Sequence, residues 1–150
     1  MANVNLIYFS HARSTKKVAQ HIGRATGMDV TEYNITQGLP EGLTLGNDEL
    51  AVIAVPVYAG RVPAIAAEFL KKVKGSHTPA AVVCVYGNRD YDDALLELQD
   101  ICKGNHFSVF AAGAFIARHS IFTAVAAGRP DEKDMHLLNV FGQKCAAGYQ

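Results

Sequence analysis

The sequence lacks the features that mark several large classes of protein. Basic and acidic residues balance, with 14 of each and a formal net charge of zero, whereas a protein that binds DNA or RNA mainly by neutralising phosphates carries a basic excess. No apolar stretch reaches the roughly 18 residues of a membrane span, and no charged leader precedes an apolar run at the first residues. We therefore expect no nucleic-acid binding, no membrane span and no secretory signal.

Cysteine is scarce and widely spaced, with thiols at Cys84, Cys102 and Cys145 alone. Because no Cys-x-x-Cys pair exists, this chain by itself cannot supply a zinc knuckle or a cysteine-ligated iron–sulfur cluster. Each cysteine has apolar neighbours, among which it behaves as a small hydrophobic residue, and a reactive thiol is the less favoured alternative. This usage is typical of a reduced, cytoplasmic protein. Metal-ligand spacing is also missing from His21, His77, His106 and His136.

The sequence does contain enough apolar material for one core. Its 150 residues are 49% hydrophobic and 19% charged, a composition that argues against disorder. A chain of this length can bury a full core, and no internal repeat, linker or low-complexity tract interrupts it. We expect a single domain that spans residues 1–150.

Apolar runs and amphipathic helical patterns alternate along the chain. Helices are predicted after the first, third, fourth and fifth of the strands, which are predicted at residues 4–9, 29–34, 50–57, 79–86 and 107–117. Residues 35–49 are predicted to be a loop. The helix near Pro63 is predicted to bury Ile65, Phe69 and Val73 at i, i+4 and i+8. This alternation predicts an α/β fold, a doubly wound five-stranded parallel sheet with helices on both faces.

Ligands of such sheets bind beyond the carboxyl ends of the strands, near the point where the strand order reverses. Three strands end in unusual loops, at residues 10–15, 56–62 and 87–91. The first loop enters a helix N-terminus, whose unpaired N–H groups and positive dipole suit an anion. Its hydroxyl and cationic side chains are Ser10, Arg13, Ser14 and Thr15. The pattern fits a phosphate monoester and a simple helix N-cap equally well, and it is neither a Walker loop nor Gly-x-Gly-x-x-Gly.

The second and third loops each carry a tyrosine at a strand end. Pro56 and Pro63 stiffen the second loop, and Gly60 permits a tight turn there. Tyr58 and Tyr91 could hold a flat aromatic ligand between them by offset stacking. An ordinary core or surface tyrosine is the alternative for either one alone.

These segments together resemble the flavodoxin-like flavoproteins, most closely the short flavodoxin domains that occur alone or ahead of ferredoxin-type modules. The resemblance covers nearly the whole chain, and the segments that carry it are Ile7-Tyr8-Phe9-Ser10, Thr15-Lys16-Lys17, residues 55–63, residues 85–89 with 91–98, Gly113-Ala114-Phe115-Ile116 and His119-Ser120. It implies the strand order 2-1-3-4-5 and a bound FMN, which would carry the redox chemistry.

The resemblance also implies where FMN binds. Its phosphate would lie on the first loop, at Ser10, His11, Ala12, Arg13, Ser14 and Thr15. Its isoalloxazine ring would lie between the second loop, at Pro56, Val57, Tyr58, Ala59 and Gly60, and the third, at Gly87, Asn88, Arg89 and Tyr91. His119 would lie near the exposed side of the ring, with a structural role or none as the alternative. The implied activity is electron transfer with a reductase or a ferredoxin-type partner.

The first loop departs from the family pattern Ser/Thr-x-Thr-Gly-x-Thr. Ala12 replaces the middle threonine, and the loss of one hydroxyl contact to phosphate costs about tenfold in affinity. Arg13 replaces glycine, and its guanidinium would either offset that loss with a charge-assisted bond or fill the site. Two alternatives to an electron carrier follow. One is a flavodoxin-fold interaction module that has lost FMN, and the other is an FMN-dependent oxidoreductase that acts on a quinone-like molecule.

Charge is unevenly distributed despite the zero total. Residues 10–24 carry four basic residues and no acid, a net charge of +4, whereas residues 86–100 carry five acids and one arginine, a net charge of −4. The acidic segment adjoins the implied ring site and would attract a basic redox partner. A solvated helix face is an equally good interpretation. The identity of the partner and the oligomeric state stay open.

Overall fold

In the computed structural model of the chain, the described residues are 3–9, 14–36, 42–57, 62–86 and 94–116. The elements in these ranges are β1 (Asn3–Tyr8), α1 (Ser14–Ala25), β2 (Asp29–Asn34), β3 (Leu43–Thr44), β4 (Leu50–Pro56), α2 (Ala64–Leu70), β5 (Val73–Lys74), β6 (Thr78–Tyr86), α3 (Ala94–Gly104) and β7 (Phe107–Ile116). None of the helices in these ranges is long and apolar enough to cross a membrane.

Five of the strands form one parallel sheet in the order β2-β1-β4-β6-β7. When the two short strands are left aside, this is the order 2-1-3-4-5 that the sequence resemblance implies, and the predicted α/β fold class is confirmed. β4 occupies the centre of the sheet and is buried along its full length, because helices cover both faces. A strand with two buried faces has a continuous apolar sequence instead of an alternating one.

Successive strand side chains point to opposite faces of the sheet and so enter two separate apolar cores. On one face, α1 packs Val18 and Ile22 into a cluster with Leu6 of β1. On the other face, α2 and α3 contribute Leu70 and Leu98 to a second cluster. All five side chains are at most 1% exposed. The helices therefore cover both faces of the sheet, and the parallel strands β1, β4 and β6 end at one edge of it.

The structure corrects the prediction for α2. The helix buries Ala66 and Leu70, whereas Ile65 is 50% exposed. Val73 is buried, but it belongs to β5 and not to the helix. Of the predicted residues, only Phe69 packs from α2 against the core. The prediction for Val73 was wrong because the helix ends at Leu70, before position i+8.

The segment that was predicted to be a loop contains a short strand. β3 pairs in parallel with β5 to form a separate two-stranded sheet. The backbone N–H of Leu43 donates to the carbonyl of Lys72 over 2.9 Å, and that of Leu45 donates to the carbonyl of Lys74 over 2.9 Å. The chain leaves α2 to make this pairing, which explains both the short helix and the added strand.

Two of the cysteines, Cys84 of β6 and Cys102 of α3, are free thiols buried in the same core. Burial raises the pKa of Cys84 and of Cys102 to about 12 each, so both thiols stay protonated near neutrality. Their interpretation as small hydrophobic residues is confirmed. Cys145 and the predicted final helix lie outside the described residues.

Candidate functional site

The strand order reverses at β1, which lies between β2 and β4. Main-chain pairing continues on both sides of its carboxyl end. The N–H of Phe9 donates to the carbonyl of Ala54 over 3.2 Å, and the N–H of Ile35 donates to the carbonyl of Tyr8 over 2.8 Å. In sheets of this class, ligands bind beyond the strand ends at such a point. In this sheet, β1 and β4 are the neighbouring strands there.

The N-terminus of α1 follows β1 at this edge. The helix begins at Ser14, and no acidic residue occupies its first turn. Thr15, in that turn, is 3% exposed, and Lys16 and Lys17 follow it. The first N–H groups of a helix lack intrahelical partners, and the helix dipole is positive at this end. The turn therefore favours an anion, and none of its own carboxylates opposes one.

The carboxyl end of β4 is held to β6. Pro56 lies opposite Val85 in the parallel register, and the N–H of Val57 donates to the carbonyl of Val85 over 3.0 Å. Val57 is 8% exposed and belongs to the core beneath α2 and α3. The pairing continues one residue past β4, and it fixes the backbone that leads into residues 58–61.

The start of α2 is held to α3 by a side chain. Oε1 of Glu97 accepts a hydrogen bond from the backbone N–H of Val62 over 3.0 Å. Glu97 lies in the first turn of α3, and Val62 is 4% exposed. Pro63 then forms the N-cap of α2 with an extended backbone, at φ −55° and ψ 134°. A carboxylate of α3 thus fixes the residue that directly follows residues 58–61.

Two weak acids on the strands of this edge stay protonated. Burial, and next a hydrogen bond of 2.9 Å to Oε1 of Glu32, raise the pKa of Tyr8 to about 12. Burial, and next the negative charge of Glu97, raise the pKa of Cys84 to about 12. Neither group supplies an anion at neutral pH. Within the described part of the chain, no group of three or more His, Cys, Asp and Glu could hold a metal ion.

The family model for the flavodoxin domain matches residues 5–116. The chain belongs to the flavodoxin domain family. No curated protein sequence matches it. The match covers all of the sheet except the first two residues of β1, and it covers the three described helices.

Solved structures share the fold of this flavodoxin-family chain. A flavodoxin from the domain Archaea has a TM-score of 0.71 at 13% identity, over 98% of each chain. Oxidised flavodoxin 1 from Bacillus cereus has a TM-score of 0.70 at 12% identity, over 97% of each chain. A short-chain flavodoxin associated with a non-canonical PDU bacterial microcompartment has a TM-score of 0.70 at 16% identity, over 100% of each chain. Likeness at such identities concerns the fold alone.

The structure brings some of the sequence-predicted site residues of this flavodoxin-family chain to one edge. Ser14 and Thr15 follow β1, and Pro56 and Val57 lie at the end of β4, which pairs with β1. The remaining residues lie outside the described part of the chain: Ser10, His11, Ala12, Arg13, Tyr58, Ala59, Gly60, Gly87, Asn88, Arg89, Tyr91 and His119. Their contacts stay predictions.

The bond between Glu97 and Val62 was not predicted from the sequence. Glu97 is one of the five acids of residues 86–100, and its place in that charged segment indicates no specific partner. A glutamate in a helix first turn commonly interacts with its own helix dipole. Its partner lies 35 positions away, and no spacing rule connects residues at that distance.

Proposed function

We propose that the protein binds FMN at the carboxyl edge of its sheet and carries electrons between proteins. The observation that supports this most is the start of α1, where a buried Thr15 and an acid-free first turn follow β1 at the point where the strand order reverses. Membership of the flavodoxin domain family adds to it, as does the fold shared with solved flavodoxins.

The phosphate of FMN fits the chemistry of the α1 N-terminus. A phosphate monoester is largely dianionic near neutrality, and unpaired backbone N–H groups with a positive dipole bind such anions. Lys16 and Lys17 add positive charge to the same helix. In the proposed site, Ser10, Ser14 and Thr15 hydrogen-bond the phosphate, and Arg13 adds a charge-assisted bond.

The ring of FMN is proposed to lie between the second and third loops. FMN, when bound, supplies the capacity to accept and release electrons. The chain contributes the binding surface, with Tyr58 and Tyr91 stacking on the ring and Gly87 to Arg89 presenting backbone groups to its N5 edge. The described backbone supports this role, because Val57 and Val62 are both hydrogen-bonded to neighbouring elements.

The proposed partner is a reductase or a ferredoxin-type protein with a basic docking surface. Residues 86–100, which adjoin the proposed ring site, have a net charge of −4. Asp100 of α3 is exposed to solvent. Complementary charge accelerates encounter between proteins and orients them.

The proposed cofactor is tested by titrating the purified apoprotein with FMN and, in parallel, with riboflavin. We expect FMN to bind with quenching of flavin fluorescence and the as-isolated protein to absorb in the visible flavin bands. Riboflavin, which lacks the phosphate, should bind more weakly. A colourless protein that shows no heat of binding with FMN in calorimetry would refute the proposal.

Thr15→Val tests the phosphate end. Valine keeps the buried volume but removes the hydroxyl, so we expect the Kd for FMN to rise about tenfold. The Kd for riboflavin should not change. Thr44→Val, at an exposed position of β3, serves as the matched control. Equal weakening of both ligands would show that Thr15 does not contact the phosphate.

The substitutions in the first loop support a second candidate, an interaction module without a cofactor. Ala12 and Arg13 stand where the family pattern has threonine and glycine. If Arg13 fills the phosphate site, the wild-type protein ignores FMN and the double variant Ala12→Thr/Arg13→Gly gains FMN binding. Tight binding of FMN by the wild-type protein excludes this candidate.

A further inference from the structure

The side chain of Glu97 connects two elements that are far apart in the sequence. Its Oε1 accepts the backbone N–H of Val62 over 3.0 Å in a partly buried hydrogen bond. A charged acceptor makes a bond roughly twice as strong as a neutral one, and a buried N–H without an acceptor is destabilising. Within the described part of the chain, Glu97 is the acceptor of the Val62 N–H, and Pro63, the N-cap of α2, makes no side-chain cap hydrogen bond.

The chain segment of residues 58–61 is bordered by two anchored residues. Before it, the N–H of Val57 donates to the carbonyl of Val85 in β6. After it, the N–H of Val62 donates to Glu97 in α3. β6 and α3 are also the elements that border residues 87–93 in the chain. Both segments therefore connect to β6 and α3: residues 58–61 through the hydrogen bonds of their flanking residues, and residues 87–93 through the chain itself.

The negative charge of Glu97 also contributes, after burial, to the raised pKa of Cys84, which lies two residues before the end of β6.

We infer that Glu97 is a positioning residue for FMN. It holds Val62 and thereby fixes where the chain that follows residues 58–61 lies relative to α3. The inference rests on the proposed function. Glu97 acts through the backbone of Val62 and need not touch FMN. Glutamine at position 97 keeps an acceptor oxygen at the same distance, whereas alanine removes it.

The test compares Glu97→Ala, Glu97→Gln and the wild-type protein, with Glu68→Ala as the matched control. Glu68 is an acid on the neighbouring helix whose side chain is 70% exposed. For each protein we would measure the Kd for FMN, the urea midpoint of the apoprotein and the exchange rate of the Val62 amide by NMR. If alanine prevents folding, Glu97→Met keeps the length of the side chain without an acceptor and takes its place.

We expect Glu97→Ala to raise the Kd for FMN about tenfold, which corresponds to one hydrogen bond to a charged group. It should also speed exchange of the Val62 amide, whereas Glu97→Gln should restore both values to within about threefold of wild type. Glu68→Ala should change neither. An unchanged Kd in Glu97→Ala, or equal weakening by the glutamine and alanine variants, would overturn the inference.

The amide exchange separates this inference from the proposed function. If the wild-type protein binds no FMN, the proposed function fails, and with it the positioning role toward FMN. Fast exchange of the Val62 amide in the wild-type protein would show instead that the anchor does not exist, whatever binds at the edge. Slow exchange that is lost in Glu97→Ala and kept in Glu97→Gln supports the anchor.

Discussion

Replacement of Gly23 by alanine should destabilise the protein, although glycine normally has a lower helix propensity than alanine. Gly23 is buried in α1, where α1 packs on β1. A Cβ at this position would lie 2.9 Å from Cδ2 and 3.0 Å from Cδ1 of Leu6. Leu6 is 0% exposed, so its side chain can move only within the packed core.

Two opposing effects decide the result. In a helix interior, alanine raises the free energy of unfolding by about 1 kcal/mol relative to glycine. An extra methyl group in a packed core lowers it by about 1–3 kcal/mol. We expect the cost to exceed the gain, with a net loss of about 1 kcal/mol in the free energy of unfolding. Gly104, at the end of α3, has no atom within 4 Å of the corresponding Cβ, and Gly104→Ala should stabilise by about 0.5 kcal/mol.

Urea unfolding of both variants measures these changes through the midpoint at constant m-value. A cycle with Leu6→Ala tests the cause. Leu6→Ala alone should cost about 2–5 kcal/mol, but it removes the atoms that a Cβ at position 23 would meet. In that background Gly23→Ala should become stabilising. The reasoning is wrong if Gly23→Ala stabilises the wild-type protein as Gly104→Ala does, or if its cost persists when Leu6 is truncated.

Two further predictions concern ionisable groups. The pKa of Glu49 lies below 4.5, mainly because the backbone N–H of Gly46 donates to its carboxylate. The stability that this group contributes is therefore present above pH 4.5 and lost as the pH falls through its lower folded pKa. Glu49→Gln should make acid unfolding less steep, and identical pH curves for the two proteins would contradict this. In a Cys145→Ser background, Cys84 and Cys102 should not react with Ellman's reagent at pH 8 until urea unfolds the protein, because both are buried with a pKa of about 12. Rapid reaction of the folded protein would show that one of them is accessible.

The architecture could be predicted from the sequence because each strand and helix has a local pattern that reports its burial. The run Leu50–Pro56 is apolar throughout, and the structure places it at the centre of the sheet with all residues buried. The helix pattern with Val18 and Ile22 on one side matches the side of α1 that packs on the sheet. Alternation of strands and helices then requires parallel pairing, since short turns cannot connect parallel strands.

Sequence patterns did not predict the structure of segments that pair with a distant part of the chain. Val73 fits the helical period of α2, yet it pairs with Leu43 in the small sheet, and pairing over such a distance has no local signature. The same applies to the candidate site. The residue types at strand ends indicated the edge that binds a ligand, but Glu97 became a candidate only when the fold placed it against Val62.

The sequence by itself determined the layers, the parallel sheet and the edge at which a phosphate and a flat ring are expected. These features depend on the spacing of apolar residues and on residue types within short stretches of the chain, which the sequence shows directly. Only the tertiary structure decided which helix residues are buried in α2, where the chain pairs outside the main sheet, and which carboxylate supports the second loop. Those outcomes depend on contacts between residues separated by about 30 positions or more. No sequence spacing predicts such contacts, because the packing of the folded chain selects the partners.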